Sequence, residues 1–208
     1  MSEMRRLLRA LAEGDEPSEV WDYFARPPVL ETPRLIIRPA KMRDAEDVFR
    51  YASDPEVARY VLWTPHRTPA DSRSFIRSLQ RQYRASQPSS CLCVLRETGA
   101  AVGSIGFTSY QHDILTAEVG YSFARPLWNR GLATEALAAF LELCFDRMRL
   151  HRVEAVHDTD NPASGRVLAH CGMKPEGVIR QRVFNKGQWR DVQLWSLLSE
   201  EYEAMRRR

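Results

Sequence analysis

The clearest chemical signal in this chain lies in one short stretch between Trp128 and Thr134. The stretch follows a run with strand character that ends at Phe123, and it precedes an apolar helical pattern beginning near Leu137. The first N–H groups of a helix have no intrahelical partner and lie at the positive end of its dipole. Gly131 has no side chain and lets an anion approach that backbone. The pattern is therefore typical of a main-chain cradle for a diphosphate, and also of an ordinary strand-to-helix connection.

Two well-known phosphate-binding motifs are absent from this stretch. It lacks Gly-x-x-x-x-Gly-Lys-Ser/Thr, so a nucleotide-hydrolysing phosphate loop has no support. It also lacks Gly-x-Gly-x-x-Gly, so the sequence does not indicate a dinucleotide-binding unit.

Composition and charge describe an ordinary globular protein of one domain. The chain has 208 residues, of which 44% are hydrophobic and 27% charged, with a formal net charge of +3. That charge is too small to predict nucleic-acid binding, and no apolar run is long enough to span a membrane. The first residues do not resemble a signal peptide, and the four cysteines lack metal-ligand spacing. We therefore expect reduced, structural thiols in a cytoplasmic protein without a metal site.

The elements that must position the stretch are strands in hairpins with helices inserted between them. The pattern predicts one strand, two helices, three strands, one helix, one strand, one helix, two strands and a terminal helix. Two of these helices start with an N-cap followed by proline, at Thr68-Pro69 and at Asn161-Pro162. The last two strands are predicted to form a hairpin around Asn185-Lys186-Gly187. This order predicts an α/β (α+β) domain built on a sheet.

The N-terminal residues 1–29 are expected to be a partly helical extension, and the domain proper then spans residues 30–208. A short basic amphipathic helix is predicted from Met1 to about Ala12. Prolines at positions 17, 27 and 28 predict an irregular connector between that helix and the domain.

Residues 128–133 resemble the acyl-CoA loop of the GNAT acetyltransferase superfamily, whose pattern is Gln/Arg-x-x-Gly-x-Gly/Ala. The matching residues are Trp128-Asn129-Arg130-Gly131-Leu132-Ala133, and Trp128 departs from the usual first residue. A tryptophan followed by Gly-x-Ala-Thr-Glu-Ala is similar to the branch that acetylates ribosomal-protein N-termini, the RimJ and RimL type. Further segments similar to that branch are Glu31–Pro39, Asp54–Val57, Gly103–Gly106, Ala117–Tyr121, Asn161–Ser164 and Gly187–Asp191. The resemblance covers about Leu30 to Leu198.

The resemblance implies the GNAT fold, a single mixed and mostly antiparallel sheet, flanked by helices, in which a central pair of strands splays apart. It also implies that acetyl-CoA is the co-substrate and that its acetyl group passes directly to a primary amine, without a metal. The open strand end and the loop would then hold the cofactor mostly through main-chain atoms. The implied contacts are Tyr121, Ser122, Phe123, Trp128, Asn129, Arg130, Gly131, Leu132, Ala133, Thr134 and Asn161.

Two further residues are implied to be catalytic. Glu118, on the strand before the loop, can deprotonate the amine directly or through water, or can simply pair on a polar strand face. Ser164 resembles the serine that protonates the leaving thiolate in this branch, although a helix serine also bonds to its own backbone. A later glutamate of the branch is replaced by Val183, which leaves Glu118 or a water chain as the base.

Aromatic residues and histidines are assigned to the walls of the site. His66 is expected at the rim of the acceptor cleft. His112 is expected to be an exposed turn residue without a role, with base catalysis as its alternative. The tryptophans expected in the core or the cleft wall are Trp63, Trp128, Trp189 and Trp195.

The acceptor stays open among several classes. The resemblance favours an N-acetyltransferase that acts on the N-terminal α-amine of a protein or peptide. The alternatives are acetylation of a small amine, such as an amino acid, a polyamine or an antibiotic, and a non-catalytic acyl-CoA-binding module. No nucleic-acid or membrane partner is expected, and the chain is expected to act as a monomer or a homodimer.

Overall fold

The computed structural model describes residues 18–207, which form one sheet of eight strands. The strands are β1 (Leu30–Glu31), β2 (Leu35–Arg38), β3 (Ser90–Leu95), β4 (Ala101–Gln111), β5 (Thr116–Phe123), β6 (Arg152–Asp158), β7 (Lys174–Asn185) and β8 (Gln188–Leu198). Their order across the sheet is β1-β2-β3-β4-β5-β6-β8-β7. Neighbouring strands are antiparallel except β5 and β6, which run parallel. The predicted mixed and mostly antiparallel sheet is confirmed.

Helices cover both faces of this sheet. They are α1 (Ser18–Ala25), α2 (Ala45–Ala52), α3 (Pro55–Ala58), α4 (Pro69–Arg84), α5 (Leu132–Glu142), α6 (Pro162–His170) and α7 (Ser199–Arg206). A π-helical segment, Leu143–Arg147, continues α5. Within the described residues, no helix is both long enough and apolar enough to cross a membrane.

The two faces of β3 show how alternation divides the core. Cys91 and Cys93 point to one face, where α1, α5 and α6 pack, and all the cysteines of the chain are free thiols. Leu92 and Val94 point to the other face, where α2 and α4 pack. Because successive strand residues face opposite sides, a run that is apolar throughout predicts a strand covered on both faces, as β3 is.

The predicted cap at Thr68 is present and fixes the start of α4. The Asp71 carboxylate accepts the backbone N–H groups of Arg67 and Thr68, each at 2.9 Å, which satisfies donors that the helix itself leaves free. Pro69 occupies the first helical position, where a missing N–H costs nothing.

The helix α1 corrects the predicted connector. Val20 and Phe24 are buried in the main core, and the ring of Phe24 packs edge-on against Phe107 at 5.2 Å. The prolines at 17, 27 and 28 therefore flank a helix where an irregular segment was predicted. Proline marks the limits of a helix as readily as a loop, and only the buried partners distinguish the two. The helix predicted between Met1 and Ala12 lies outside the described residues.

The parallel pair β5 and β6 splays apart after three residue pairs. The pairs join Thr116 to Arg152, Ala117 to Val153 and Glu118 to Glu154. Beyond Glu118, β5 continues to pair with β4 through Phe123, while β6 continues to pair with β8. The far edge of β5 therefore has no strand partner over its second half, and a cleft opens there.

Candidate acetyl-transfer site

The space between the splayed strands forms a cleft of about 460 Å³. One wall is the second half of β5, and the other is β6 with the start of α6. The hairpin β7–β8 and the loop after α3 complete the cleft. Its polar and charged lining includes Thr108, Glu118, Tyr121, Ser122, His157, Asp158, Asn161, Ser164, Arg182, Asn185 and Arg190.

The loop after β5 presents free backbone donors at the start of α5. Asn129 and Gly131 both adopt the left-handed conformation, with φ of 59° and 74°. The first intrahelical hydrogen bond runs from Glu135 N–H to the Gly131 carbonyl at 3.0 Å. The N–H groups from Leu132 to Thr134 therefore lie before the first helical acceptor, as a cradle for a diphosphate requires.

Glu135 fastens this loop to the segment that leads into β2. Its carboxylate accepts hydrogen bonds from the Thr32 hydroxyl at 2.6 Å and from the Arg34 backbone N–H at 2.8 Å. The Arg34 guanidinium pairs with the same carboxylate at 2.6 Å and also donates to the Arg130 carbonyl at 2.7 Å. Burial alone would raise the pKa of Glu135, but these hydrogen bonds outweigh it and hold the pKa below its usual value.

Tyr121 and Ser164 meet across the cleft. The Tyr121 hydroxyl lies 2.9 Å from Ser164 Oγ and donates to the Ser164 carbonyl at 3.0 Å. Burial raises the pKa of the Tyr121 phenol, so the phenol keeps its proton at neutral pH. Two hydroxyl groups in contact can pass a proton between them, and both belong to residues that line the cleft.

Asn161 caps α6 and also lines the cleft. Its Oδ1 accepts the Ser164 backbone N–H at 3.4 Å, so the amide NH₂ group is left for another acceptor. The two roles weighed from the sequence are therefore compatible.

Glu118 sits where β5 and β6 part, beside a bulge in β4. The register jumps between Phe107 and Ser109, so Thr108 is the extra residue. The Thr108 hydroxyl donates to the Glu118 carboxylate at 2.6 Å. This contact orients a carboxylate at the mouth of the open strand edge.

The other carboxylate of the lining is fully engaged. Asp158 is buried and accepts from the Arg190 guanidinium at 2.7 and 3.0 Å and from the Asp160 N–H at 2.9 Å. Burial would raise the pKa of Asp158, but Arg190 and the backbone donor lower it below the usual value. Asp158 therefore holds the wall together and does not suit the role of a base.

A contact between the hairpin tip and the α3–α4 loop covers one side of the cleft. Lys186 Nζ donates to the carbonyls of Ala58 at 2.9 Å and Val61 at 2.7 Å, next to the end of α3. Asn185 Nδ2 donates to the same Val61 carbonyl at 3.2 Å. Residues 60–63, which line the cleft, are thus held by the last hairpin, and we call this contact the roof.

The structure separates the predicted contacts into two groups. Glu118, Tyr121, Ser122, Asn161 and Ser164 line the cleft together. The stretch from Phe123 to Thr134 lies outside the lining and continues from the end of β5, with the Phe123 and Leu132 side chains buried in the core. Within that stretch, the backbone of the loop is therefore the part available to a ligand.

The aromatic and histidine assignments are correct only in part. Trp63 lines the cleft, but Trp128 and Trp189 are 42% and 61% exposed and belong to neither core nor cleft wall. His66 lies behind Trp63 and bonds to Ser72 at 2.8 Å, and burial lowers its pKa. His112 is half-buried and contacts the Tyr110 hydroxyl at 3.1 Å, outside the cleft lining.

Several lining residues carried no signal in the sequence. Thr108 reaches Glu118 because of the bulge, and His157 lies beside Gly165 because β6 packs on α6. Arg182 and the roof residues belong to the last hairpin, far from the loop in sequence. Only long-range pairing brings these residues to the cleft.

The observed parts suit CoA. Its diphosphate is an anion, and the loop offers N–H groups with Gly131 exposed to solvent. Its pantetheine arm carries amides, and the unpaired edge of β5 offers backbone partners for them. A bound thioester would thus run along β5, from the loop toward Glu118.

Comparison with known proteins agrees with this geometry. Residues 34–174, more than half of the chain, match the family model described as acetyltransferase (GNAT) domain. The uncharacterized N-acetyltransferase p20 of Bacillus licheniformis is 31% identical over 173 residues, which cover 83% of this chain and 97% of that protein.

Two further similarities involve better-described proteins. The ribosomal protein uS5 alanine N-acetyltransferase of Escherichia coli is 32% identical over 84 residues, 40% of this chain and 43% of that protein. The structure of Mycobacterium smegmatis RimJ with CoA-disulfide superposes with a TM-score of 0.74 at 28% identity, covering 85% of this chain and 90% of that one. The chain therefore belongs to the GNAT acetyltransferase family, whose members use acetyl-CoA as the acetyl donor.

Proposed function

We propose that this enzyme acetylates the N-terminal α-amine of a protein or peptide. The observation that carries the proposal is the modest base in the cleft. Among the described lining residues, Glu118 is the carboxylate without a cationic partner, and Asp158 is held by Arg190. Val183 lines the cleft at the position of the glutamate that the resemblance led us to expect.

One solvated base suits an α-amine better than a lysine. A peptide α-amine has a pKa of ~8, so an appreciable fraction is neutral near pH 7, whereas a lysine ε-amine, at ~10.4, is almost wholly charged. The acceptor with the lower pKa needs much less help to lose its proton. A single carboxylate such as Glu118, oriented by Thr108, is then sufficient.

The cleft charges also argue against a cationic small amine. Glu118 and Asp158 are balanced by Arg182 and Arg190 in the same lining, so the cleft has no excess negative charge to attract a polyamine. The E. coli relative is named for N-acetylation of an alanine in a ribosomal protein, and alanine has no side-chain amine. Both observations favour an α-amine on a polypeptide.

The proposed reaction needs two proton transfers. The neutral amine attacks the thioester carbon, and its proton passes to Glu118 directly or through water. The C–S bond then breaks, and the CoA thiolate takes a proton from Ser164, whose hydroxyl contacts Tyr121 at 2.9 Å. A free N–H near Ser122 stabilises the charge that develops on the carbonyl oxygen.

A peptide carrying both a free N-terminus and one internal lysine tests the proposal directly. We expect mass spectrometry after incubation with acetyl-CoA to find the acetyl group chiefly on the N-terminus. A matched peptide with a blocked N-terminus controls for slow reaction at lysine. Acetyl found chiefly on the lysine would refute the proposal, as would a strong preference for a polyamine over every peptide.

Glu118→Gln gives the same test a second readout. We expect the variant to lose turnover mostly below about pH 8, where the α-amine is protonated and needs a base, and to approach the wild type above it. A loss of equal size at every pH would instead assign Glu118 a positioning role.

A further inference from the structure

The last hairpin contains an irregularity that faces the cleft. In β7, Ile179 pairs with Val192 and Val183 pairs with Arg190, so three residues, 180–182, lie opposite the single residue 191. Bulges of this kind bend a strand and redirect its side chains, and they are frequent beside active sites.

The bulge is held in a conformation that favours glycine. Gln181 has a φ of 52°, and its N–H donates to the Asp191 carboxylate at 2.8 Å. In a regular strand Arg182 and Val183 would face opposite sides of the sheet, yet both line the cleft. The bulge thus adds a guanidinium to a surface that regular pairing would leave without it.

Arg182 differs from the other cations around the cleft. Arg190 is bound to Asp158 and Asp160, and Lys186 is bound to loop carbonyls in the roof. Arg182 is exposed, and within residues 18–207 no carboxylate lies in ion-pair distance of it. A strained segment that delivers an unpaired guanidinium to an acceptor cleft points to an anionic group on the acceptor.

We propose that Arg182 binds a carboxylate of the acceptor, so the preferred acceptor is a chain terminus with an acidic residue closely following its α-amine. This inference rests on the proposed function and specifies its substrate class. Glu118 faces the amine and Arg182 faces the carboxylate, so the cleft matches a terminus with charges of both signs. A planar guanidinium can bind a carboxylate through two parallel hydrogen bonds, which makes the recognition directional.

Three short peptides test the inference. They share an N-terminal alanine and differ only at the second residue, which is aspartate, asparagine or lysine, and they carry no other charge. With the wild type at low salt, we expect kcat/KM for the aspartate peptide to exceed that for asparagine by about fivefold to tenfold. Raising the salt concentration should shrink this ratio, because Arg182 is exposed.

Variants of neighbouring arginines assign the effect. Arg182→Gln should bring the aspartate-to-asparagine ratio close to one, and Arg182→Glu should favour the lysine peptide. Arg180→Gln is the matched control, because Arg180 lies in the same bulge but outside the cleft lining, and it should keep the wild-type ratio.

Each contrary outcome has a distinct meaning. Equal use of the three peptides by the wild type would overturn the inference while leaving N-terminal acetylation intact. A preference that survives in Arg182→Gln would overturn it too, as would an Arg182→Gln variant whose main defect is a raised KM for acetyl-CoA. Absence of turnover with every peptide would overturn the proposed function itself, and this inference with it.

Discussion

The cofactor half and the acceptor half of this cleft are built in opposite ways. The cofactor half consists of backbone groups from one continuous stretch, the end of β5 and the loop to α5. The acceptor half consists of side chains from β4, β6, α6 and the last hairpin, joined by contacts such as Lys186 to Ala58. One half depends on local conformation, and the other depends on which distant segments are packed together.

This difference follows from what each ligand offers. A diphosphate and two amides can be bound by main-chain N–H and C=O groups, which every residue except proline supplies. An amine acceptor must be recognised and deprotonated, which requires titratable side chains such as Glu118. We therefore expect changes in the loop to affect cofactor binding alone, and changes in the hairpin to affect the acceptor alone.

The largest effect is expected for Gly131→Val, which tests the cofactor half. A side chain at a φ of 74° is strained by about 1–2 kcal/mol, and it also projects where the diphosphate must approach. We expect the Kd for acetyl-CoA, measured by calorimetry, to rise by more than tenfold.

Gly99→Val is the matched control for that variant. Gly99 has nearly the same φ, 71°, but lies in the β3–β4 turn with no atom within 4 Å of an added Cβ. Both variants should lose similar stability on thermal unfolding, while only Gly131→Val should lose affinity. Equal acetyl-CoA affinity in a folded Gly131→Val would remove the loop from the cofactor site.

The same contrast explains what the sequence could predict. The loop, the β5 strand and the Asn161 cap are local patterns, and their positions agree with the structure to within a residue or two. The sheet order followed from the resemblance and from apolar alternation such as that of β3.

The acceptor half was predicted less well, for a physical reason. Thr108 contacts Glu118 only because β4 bulges, and Arg182 reaches the cleft only because β7 bulges. A bulge shifts the side-chain alternation by a residue without any signal in a single sequence. Helix α1 was missed because its stabilising contacts, Phe24 on Phe107, span most of the N-terminal half.

A smaller but still large effect is expected where the two halves meet, at Tyr121 and Ser164. Tyr121→Phe and Ser164→Ala should each lower kcat on the order of 100-fold while changing the Kd for acetyl-CoA little. If the two hydroxyls act as one proton relay, the double variant should lose little more than the worse single variant.

Tyr110→Phe controls for loss of a phenol elsewhere. Its hydroxyl contacts His112 at 3.1 Å outside the cleft, so its removal should leave kcat unchanged. Strictly additive losses in the Tyr121 and Ser164 variants would mean that the two hydroxyls act independently, and full turnover in Tyr121→Phe would exclude Tyr121 from proton transfer.

The smallest effect is expected at the roof and tests the acceptor half. Lys186→Met removes hydrogen bonds to the Ala58 and Val61 carbonyls, which should lower the free energy of unfolding by about 1 kcal/mol. Because those bonds hold residues 60–63 in the cleft wall, the acceptor KM should rise a few-fold while the acetyl-CoA Kd stays constant. Lys174→Met, which removes a surface pair with Glu201 at the other end of β7, should leave both constants unchanged. A loss of acetyl-CoA affinity in Lys186→Met as large as the loss for the acceptor would show that the two halves are mechanically coupled, and the division drawn between them would fail.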